Sequence, residues 1–424
     1  MWRPLQSTWT LFLGMILLMI SNGLLSTLLT LRGSALGFPE TAIGLMQSAY
    51  PAGAFAGCLI APRLVSTVGH IRTFAALASL ASATTLVHLV TEDPWSWGAM
   101  RAVSGFCFSG LYVVVESWLN GQATNRNRGT LLSLYFVIQT GGSAAGQAFL
   151  SISSPEGVLL LVITSILISV ALVPILISAS ATPPFVEPER ISVRALFGLS
   201  PMALSGALLN GVAQGAIYVA LALYAGAIGL GAAAVGALVA ACTLGGMMTQ
   251  FPLGLLSDRI DRRFVITGAA AGSVLVALGL AALGDTPQEL WIVYLGVGLL
   301  GGLTLPIYSL CAAHMNDQLR ASQIVAASAT LVLVLYVGII AGPTLGAVAV
   351  RELGPTGFFL LMAGLQGLTA CTAVFRFWKR RDLAAKHGHA VAMTQHATPL
   401  VAQLNPDSPN LPEATNSPAE NQRP

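Results

Sequence analysis

Long apolar stretches follow one another through most of this chain, and no other feature restricts its possible folds as strongly. Bounded by charges, prolines and glycines, they cover residues 9–31, 41–63, 73–91, 97–119, 130–152, 157–180, 198–227, 232–255, 264–283, 290–312, 322–348 and 356–377. About 20 apolar residues in a helix cross the hydrocarbon of a bilayer. The reading is an all-α integral membrane protein with 12 transmembrane helices. Composition agrees, because 9% of the residues are charged and 55% are hydrophobic, whereas a soluble protein carries about 25% charged residues to wet its surface. The first stretch is roughly twice the length of a signal-peptide core and has no small-x-small site after it. It reads as a retained first helix.

Arginine and lysine placement orients the spans. With the N-terminus inside, the inner segments hold Arg3, Arg63, Arg72, Arg126, Arg128, Arg190, Arg194, Arg259, Arg262, Arg263 and Arg320, and then Arg376, Lys379, Arg380, Arg381, Lys386 and Arg423. The outer loops receive only Arg32 and Arg351, among several acidic residues. Positive charge concentrates on the cytoplasmic side, so both termini are expected there. No basic run resembles a nucleic-acid groove. The five cysteines (Cys58, Cys107, Cys242, Cys311, Cys371) sit singly in apolar surroundings without metal-ligand spacing, and read as small packing residues. No metal or other cofactor is expected.

Residues 181–196 form the longest internal polar stretch and divide the spans six and six. The expected organisation is a first six-helix bundle (1–180), a cytoplasmic linker (181–196), a second bundle (197–378) and a cytoplasmic tail (379–424). That tail is rich in Pro, Asn, Ala and Gln, and is expected to be disordered. His387, His389 and His396 lie within it and read as tail residues rather than metal ligands. The halves align without a gap at a shift of 192: Gly23 meets Gly215 (215 − 23 = 192), Gly37 meets Gly229, Gly44 meets Gly236 and Gly53 meets Gly245. Asn22 meets Gln214, Ser117 meets Ser309 and Arg128 meets Arg320 at the same shift. Two pseudo-symmetric six-helix bundles of this kind place a transporter's substrate site near midplane between them.

The strongest local motif is Gly254-Leu-Leu-Ser-Asp258-Arg259-Ile-Asp261-Arg262-Arg263. A carboxylate beside a helix N-terminus gains from its free N–H groups, and nearby arginines can hold acidic partners or lipid phosphates. The loop reads as a state-dependent latch, against the simpler reading of an inner loop that only sets topology. The first-half equivalent is degenerate, with Ser66 at the Asp258 position and His70 and Arg72 further along. Glu116 is the carboxylate that could substitute, either paired with an arginine of that side (Arg63, Arg72, Arg126 or Arg128) or carrying a proton. An ionisable group at such depth is normally paired or functional.

Arg101 sits about 6 Å inside the interface marked by Trp97. It could bind an anionic substrate, tune a neighbouring acid, or reach up to the outer headgroups. Polar midplane residues are few: Asn22, Tyr50, Gln139 and Gln214, with Asn210, Gln214 and Tyr218 spaced to share one helix face. These are the candidate cavity residues, with hydrogen bonding between helices as the competing role.

The 254–263 loop resembles the major facilitator signature G-x-x-x-D-R-x-G-R-R, with Asp261 in place of its second glycine. The spacing Arg101-x-x-x-Gly105 resembles the fourth-helix motif of that superfamily, where the arginine is implicated in proton coupling. Thr30-Leu31-Arg32, Val68-Gly69-His70-Ile71-Arg72, Glu116-Ser117-Trp118-Leu119-Asn120 with Arg128-Gly129, and Gln250-Phe-Pro-Leu-Gly254 together resemble the YcaD-like branch. The resemblance covers about residues 10–378 and implies a bacterial inner-membrane transporter of that fold, but no substrate. The expected function is alternating-access secondary transport, proton-coupled, of a small organic solute that a sparse midplane suits if it is hydrophobic or amphipathic. Efflux and uptake both remain open. The expected partners are solute, protons and membrane lipid, around a monomer. A non-transporting receptor or scaffold is the competing class. An enzyme would need a cluster of reactive groups, and His314-Met-Asn-Asp317 is the only stretch approaching one, better read as a polar loop.

Overall fold

The computed structural model of the chain describes residues 3–124, 127–177, 191–284, 289–379, 393 and 396–405. Among them are fourteen α-helices and no strand. The first six are α1 (Arg3–Ala35), α2 (Glu40–Val68), α3 (His70–Val87), α4 (Pro94–Gln122), α5 (Arg128–Ala148) and α6 (Leu159–Leu176). A short helix, α7 (Val193–Leu199), leads into α8 (Pro201–Ala227), α9 (Ala232–Arg259), α10 (Arg262–Ala282), α11 (Leu290–Thr304), α12 (Ile307–Asn316), α13 (Ala321–Leu353) and α14 (Gly357–Lys379).

Ten helical segments are long and apolar enough to cross a membrane, with α11 and α12 counting as one. The more polar α3 and α5 complete the twelve passes. Their polarity is used between helices: Ser82 of α3 bonds the Ser165 hydroxyl at 2.7 Å, and Thr84 bonds the Ser104 hydroxyl at 3.0 Å. Helix starts follow local chemistry. Asp93 accepts from the Ser96 N–H at 2.7 Å with Pro94 in the first turn of α4, and Asp261 accepts from the Arg263 N–H at 2.9 Å to cap α10. The tenth stretch, read as continuous from 290 to 312, is instead broken between Thr304 and Ile307. Pro306 has no N–H to give and its ring crowds the preceding turn.

Helix pairing repeats between the halves. In the first, α1 packs on α5 and α6, α2 on α4, and α3 on α6; in the second, α8 packs on α13 and α14, α9 on α11, and α10 on α14. Two glycine pairs show why the 192-residue repeat is written where it is. Gly37 and Gly229 both take positive φ, 76° and 81°, in the turns after α1 and α8, a region open to glycine without Cβ clash. Gly53 lies so close to α4 that a Cβ would overlap the Ala102 carbonyl, and Gly245 stands in the same relation to the Gly298 carbonyl of α11.

The halves meet through α2 on α13, α5 on α9 and α1 on α8. Twelve passes return both ends of the bundle to one face, here called the termini face. Toward the opposite face α2 and α13 come close, where Ser48 bonds Thr344 at 2.8 Å and a Cβ on Gly44 would meet Thr344 and Ala347. In their most apolar windows α8 is 83% buried and α1 72%, against 39% for α9, α10 and α14, so α1 and α8 are central, whereas α9 has one face at the junction of the halves and the rest of its surface, like much of α10 and α14, faces outward.

The tail departs from the expectation of disorder over part of its length. Residues 399–404 form a 3₁₀ helix (Pro399–Leu404) in which Leu400, Val401, Ala402 and Leu404 are fully buried. The average composition of 379–424 hides this short apolar run. His387 and His389, and most of the proposed 181–196 linker, lie outside the described residues.

Candidate functional site

Two adjoining cavities, one larger than the other, lie between the halves and share Ser143, Gln214, Tyr218 and His396 in their walls. The larger is lined by three pairs related by the internal repeat: Asn22 with Gln214, Gly23 with Gly215, and Ser26 with Tyr218. It therefore sits on the pseudo-twofold axis. Of the residues expected to contact solute, Asn22, Tyr50, Gln214 and Tyr218 line this cavity and Gln139 lines the smaller one.

Asn210 does not join them. Its amide bridges the break between α11 and α12, donating to the Thr304 carbonyl at 2.9 Å and accepting from the Tyr308 N–H at 3.1 Å and Gln214 Nε2 at 2.8 Å. Helical spacing placed it on the same face as Gln214 and Tyr218, but Pro306 left a free carbonyl and N–H nearby that needed a partner. Gln47, Tyr112, Tyr336 and His396 line the larger cavity without having been singled out. Gln47 was legible as an amide inside an apolar span; His396 was not, because nothing local ties the tail to the bundle.

Arg101 reaches the larger cavity from α4 and is 2% exposed. Its guanidinium carbon stands 4.2 Å from the centre of the Tyr50 ring, a cation–π contact. Its Nε and Nη1 have no hydrogen-bond partner among the described residues, and neither has the Gln47 side-chain oxygen. No carboxylate lines either cavity among those residues. Among the described residues the site thus combines a guanidinium held by a cation–π contact and no carboxylate with amides, hydroxyls and aromatic rings.

Further along the same face of α4, Glu116 is fully buried. Its carboxylate accepts from the Tyr135 hydroxyl at 2.7 Å, from the Thr398 N–H at 3.1 Å and from the Thr398 hydroxyl. Gln139 Nε2 donates to the Tyr135 oxygen at 2.8 Å, so a polar chain runs from the smaller cavity to Glu116. Of the two roles expected for Glu116, pairing with an arginine or carrying a proton, the first finds no ion pair among the described residues. Arg63 and Arg72 are exposed, Arg128 is buried, and Arg126 lies outside the described set.

The 254–263 loop forms a compact charge cluster. Arg262, 1% exposed, donates from Nε to Asp317 at 2.7 Å and from Nη1 to Asp258 at 2.8 Å and Ser257 at 2.9 Å. Arg263 pairs with Asp261 at 2.8 Å. Burial pushes the Asp261 carboxyl up, but the hydrogen bonds and charge of Arg263 outweigh it and hold the carboxyl below its usual value. Gly254 is buried beneath the cluster and Arg259 is exposed. In the sequence Asp317 stands only in a polar stretch, His314-Met-Asn-Asp317, with no motif around it. In the first half His70 stands where Arg262 does, and bonds the Ser117 hydroxyl at 2.9 Å instead of a carboxylate.

Comparison with known proteins agrees with this architecture. Residues 11–331, and again 203–406, match the Major Facilitator Superfamily. An uncharacterized MFS-type transporter of Yersinia pestis (strain Pestoides F) is 28% identical over 361 residues, covering 84% of this chain and 92% of the relative. The uncharacterized MFS-type transporter YcaD of Salmonella newport is 26% identical over 358 residues, with the same coverage of 84% and 92%. Among solved structures, the nucleoside transporter NupG superposes with a TM-score of 0.69 at 15% identity, covering 87% of this chain and 98% of its own. The human organic anion transporter MFSD10 (TETRAN) superposes at 0.61 with 16% identity, covering 88% and 99%. The chain is a multi-pass membrane transporter and belongs to the Major Facilitator Superfamily.

Proposed function

We propose that this chain is an alternating-access secondary transporter, coupled to protons, that carries a small amphipathic organic anion across the bacterial inner membrane with both termini cytoplasmic. The observation that carries the substrate class is Arg101, a buried guanidinium with two unpartnered N–H groups at a midplane cavity. A buried charge without a partner is expensive, by several kcal/mol even after relaxation. A carboxylate or sulfonate would supply the missing partner, and the guanidinium fork matches it in two-point geometry. Tyr50, Tyr218, Val219 and Ile339 would hold an apolar or aromatic body, and the unpartnered oxygen of Gln47 would take a donor from the solute.

Proton coupling rests on Glu116 and the Gln139–Tyr135 chain that leads to it from the cavity. The two six-helix halves, 1–180 and 197–378, are the moving bodies. The Arg262 cluster joins α9, α10 and α12 within the second half, so its part in the cycle is to keep that half rigid as it moves. One chain builds the whole cavity, which suits a monomer, and the arginine bias of the termini face supports its placement in the cytoplasm.

Flux into proteoliposomes of a panel of aromatic and aliphatic carboxylates, each beside its neutral amide, tests this reading. Carboxylates should move and amides should not, at a rate that responds to an imposed pH gradient. Equal handling of acid and amide would remove the anion clause, and indifference to the gradient would remove the proton clause. A non-transporting scaffold would leave cysteines placed at Asn22 and Gln214 unable to react alternately from the two sides.

A further inference from the structure

The tail segment that enters the bundle engages both halves. From the first half, the Glu116 carboxylate accepts from the Thr398 N–H and hydroxyl, and Asn120 Nδ2 donates to the Leu400 carbonyl at 2.9 Å. From the second half, the Ser309 hydroxyl accepts from the Met393 N–H at 3.1 Å. Ser117 and Ser309 are repeat equivalents; the first is used by His70 and the second by the tail. The 3₁₀ helix packs against α4, α5 and α13. His396 goes further and lines both cavities, its ring centre 5.9 Å from that of Tyr112.

Chain geometry makes this segment separable from the bundle. Lys379 ends α14 and Met393 is 14 residues on (393 − 379 = 14), a connection able to span up to about 46–50 Å. Alternating access requires the halves to rock about the cavity, and a segment bonded to both and wedged between them on the termini face opposes that motion. It also occupies wall positions of the cavity that holds Arg101.

We propose that Met393 and residues 396–405 act as an intramolecular plug, which docks between the halves at Glu116, Asn120 and Ser309 and holds the transporter in one conformation until it is released. Release exposes the solute cavity to the termini face and frees Glu116 from Thr398 in the same step. The plug therefore controls both solute access and the carboxyl assigned to coupling.

The test uses the full chain and needs no solute. A cysteine at Val401, in a background with the exposed Cys371 replaced, is probed with a membrane-impermeant maleimide. Spin labels on Val68→Cys and Ile260→Cys, repeat-related and exposed at the ends of α2 and α9, report the opening of the termini face. Releasing the plug with Leu400→Asp and Leu404→Asp should raise Val401→Cys labelling about tenfold or more, the scale of losing one buried side chain. The label distances should then broaden and gain a shorter component. Labelling of Val401→Cys in the parent as fast as that of the exposed Ile260→Cys would show that the tail does not dock. Faster labelling with an unchanged distance distribution would show that it docks without restraining the halves. Either result overturns the proposal, and both are independent of whether the anion reading holds.

Discussion

Asp317 is the most exacting test of how the charge cluster is held together. The residue is 7% exposed and takes a 2.7 Å bond from Arg262 Nε, with a second at 3.5 Å from Nη2 at the edge of bonding geometry. A hydrogen bond to a charged group is worth about 1.5–3 kcal/mol, so truncation by Asp317→Ala should cost about 2–3 kcal/mol. Asp317→Asn keeps an acceptor but loses the charge assistance, roughly half the strength, and should cost about 1–2 kcal/mol. Asp258 bonds Arg262 at a similar 2.8 Å but its side chain is 22% exposed, so water can replace it and Asp258→Ala should cost about 1 kcal/mol. Exposed Arg259→Ala should stay within about 0.5 kcal/mol. Unfolding of the purified protein in mixed micelles, titrated with denaturing detergent, measures the series. The order Asp317→Ala, Asp317→Asn, Asp258→Ala, Arg259→Ala is required. A larger loss at Asp258 than at Asp317, or a loss at Arg259 equal to either, would refute a buried Arg262 centred on Asp317.

Gly53→Ala and Gly245→Ala should each destabilise by about 1–3 kcal/mol or more through overpacking, whereas Gly268→Ala, with open space where its Cβ would go, should be neutral or mildly stabilising; the same micelle titration reads all three. Asn210→Ala should lower stability by about 1–3 kcal/mol for each buried group it leaves unpaired, while Asn22→Ala should change solute binding more than stability; the reverse pattern would exchange their roles. Asp261 has its carboxyl held low in the folded chain, so its contribution is present above the unfolded carboxyl value of about 3.9 and fades as pH falls through the lower folded value. The stability gap between the parent and Asp261→Asn should therefore narrow below about pH 4, and a gap constant down to pH 2 would contradict the pairing with Arg263.

The features legible in the sequence are those governed by local or periodic physics. Apolar length gave the twelve passes, and the 192-residue shift the matching of Gly37 with Gly229 and Gly53 with Gly245, each with one backbone reason on both sides. Asn22, Tyr50 and Gln214 stood out because amides and phenols are rare in an apolar span. What stayed hidden depends on neighbours distant in the chain. Periodicity put Asn210 beside Gln214 but could not show that Pro306 had opened a break for it to bridge. Glu116 invited an arginine on its own side, yet it bonds Thr398, 282 residues away. Asp317 lacked a motif because its importance comes from burial against Arg262, which only packing decides.

The central claim is that Arg101 anchors the negative charge of the solute. The most direct measurement is calorimetric binding to purified parent, Arg101→Gln and Arg101→Lys protein, of the carboxylate that moves best in liposomes and of its neutral amide. Loss of a two-point charged contact of about 3 kcal/mol corresponds to about a hundredfold in affinity. The account predicts that weakening for the carboxylate in Arg101→Gln, partial recovery in Arg101→Lys, and no change for the amide. A carboxylate affinity unchanged by Arg101→Gln, in protein whose unfolding matches the parent, would contradict it.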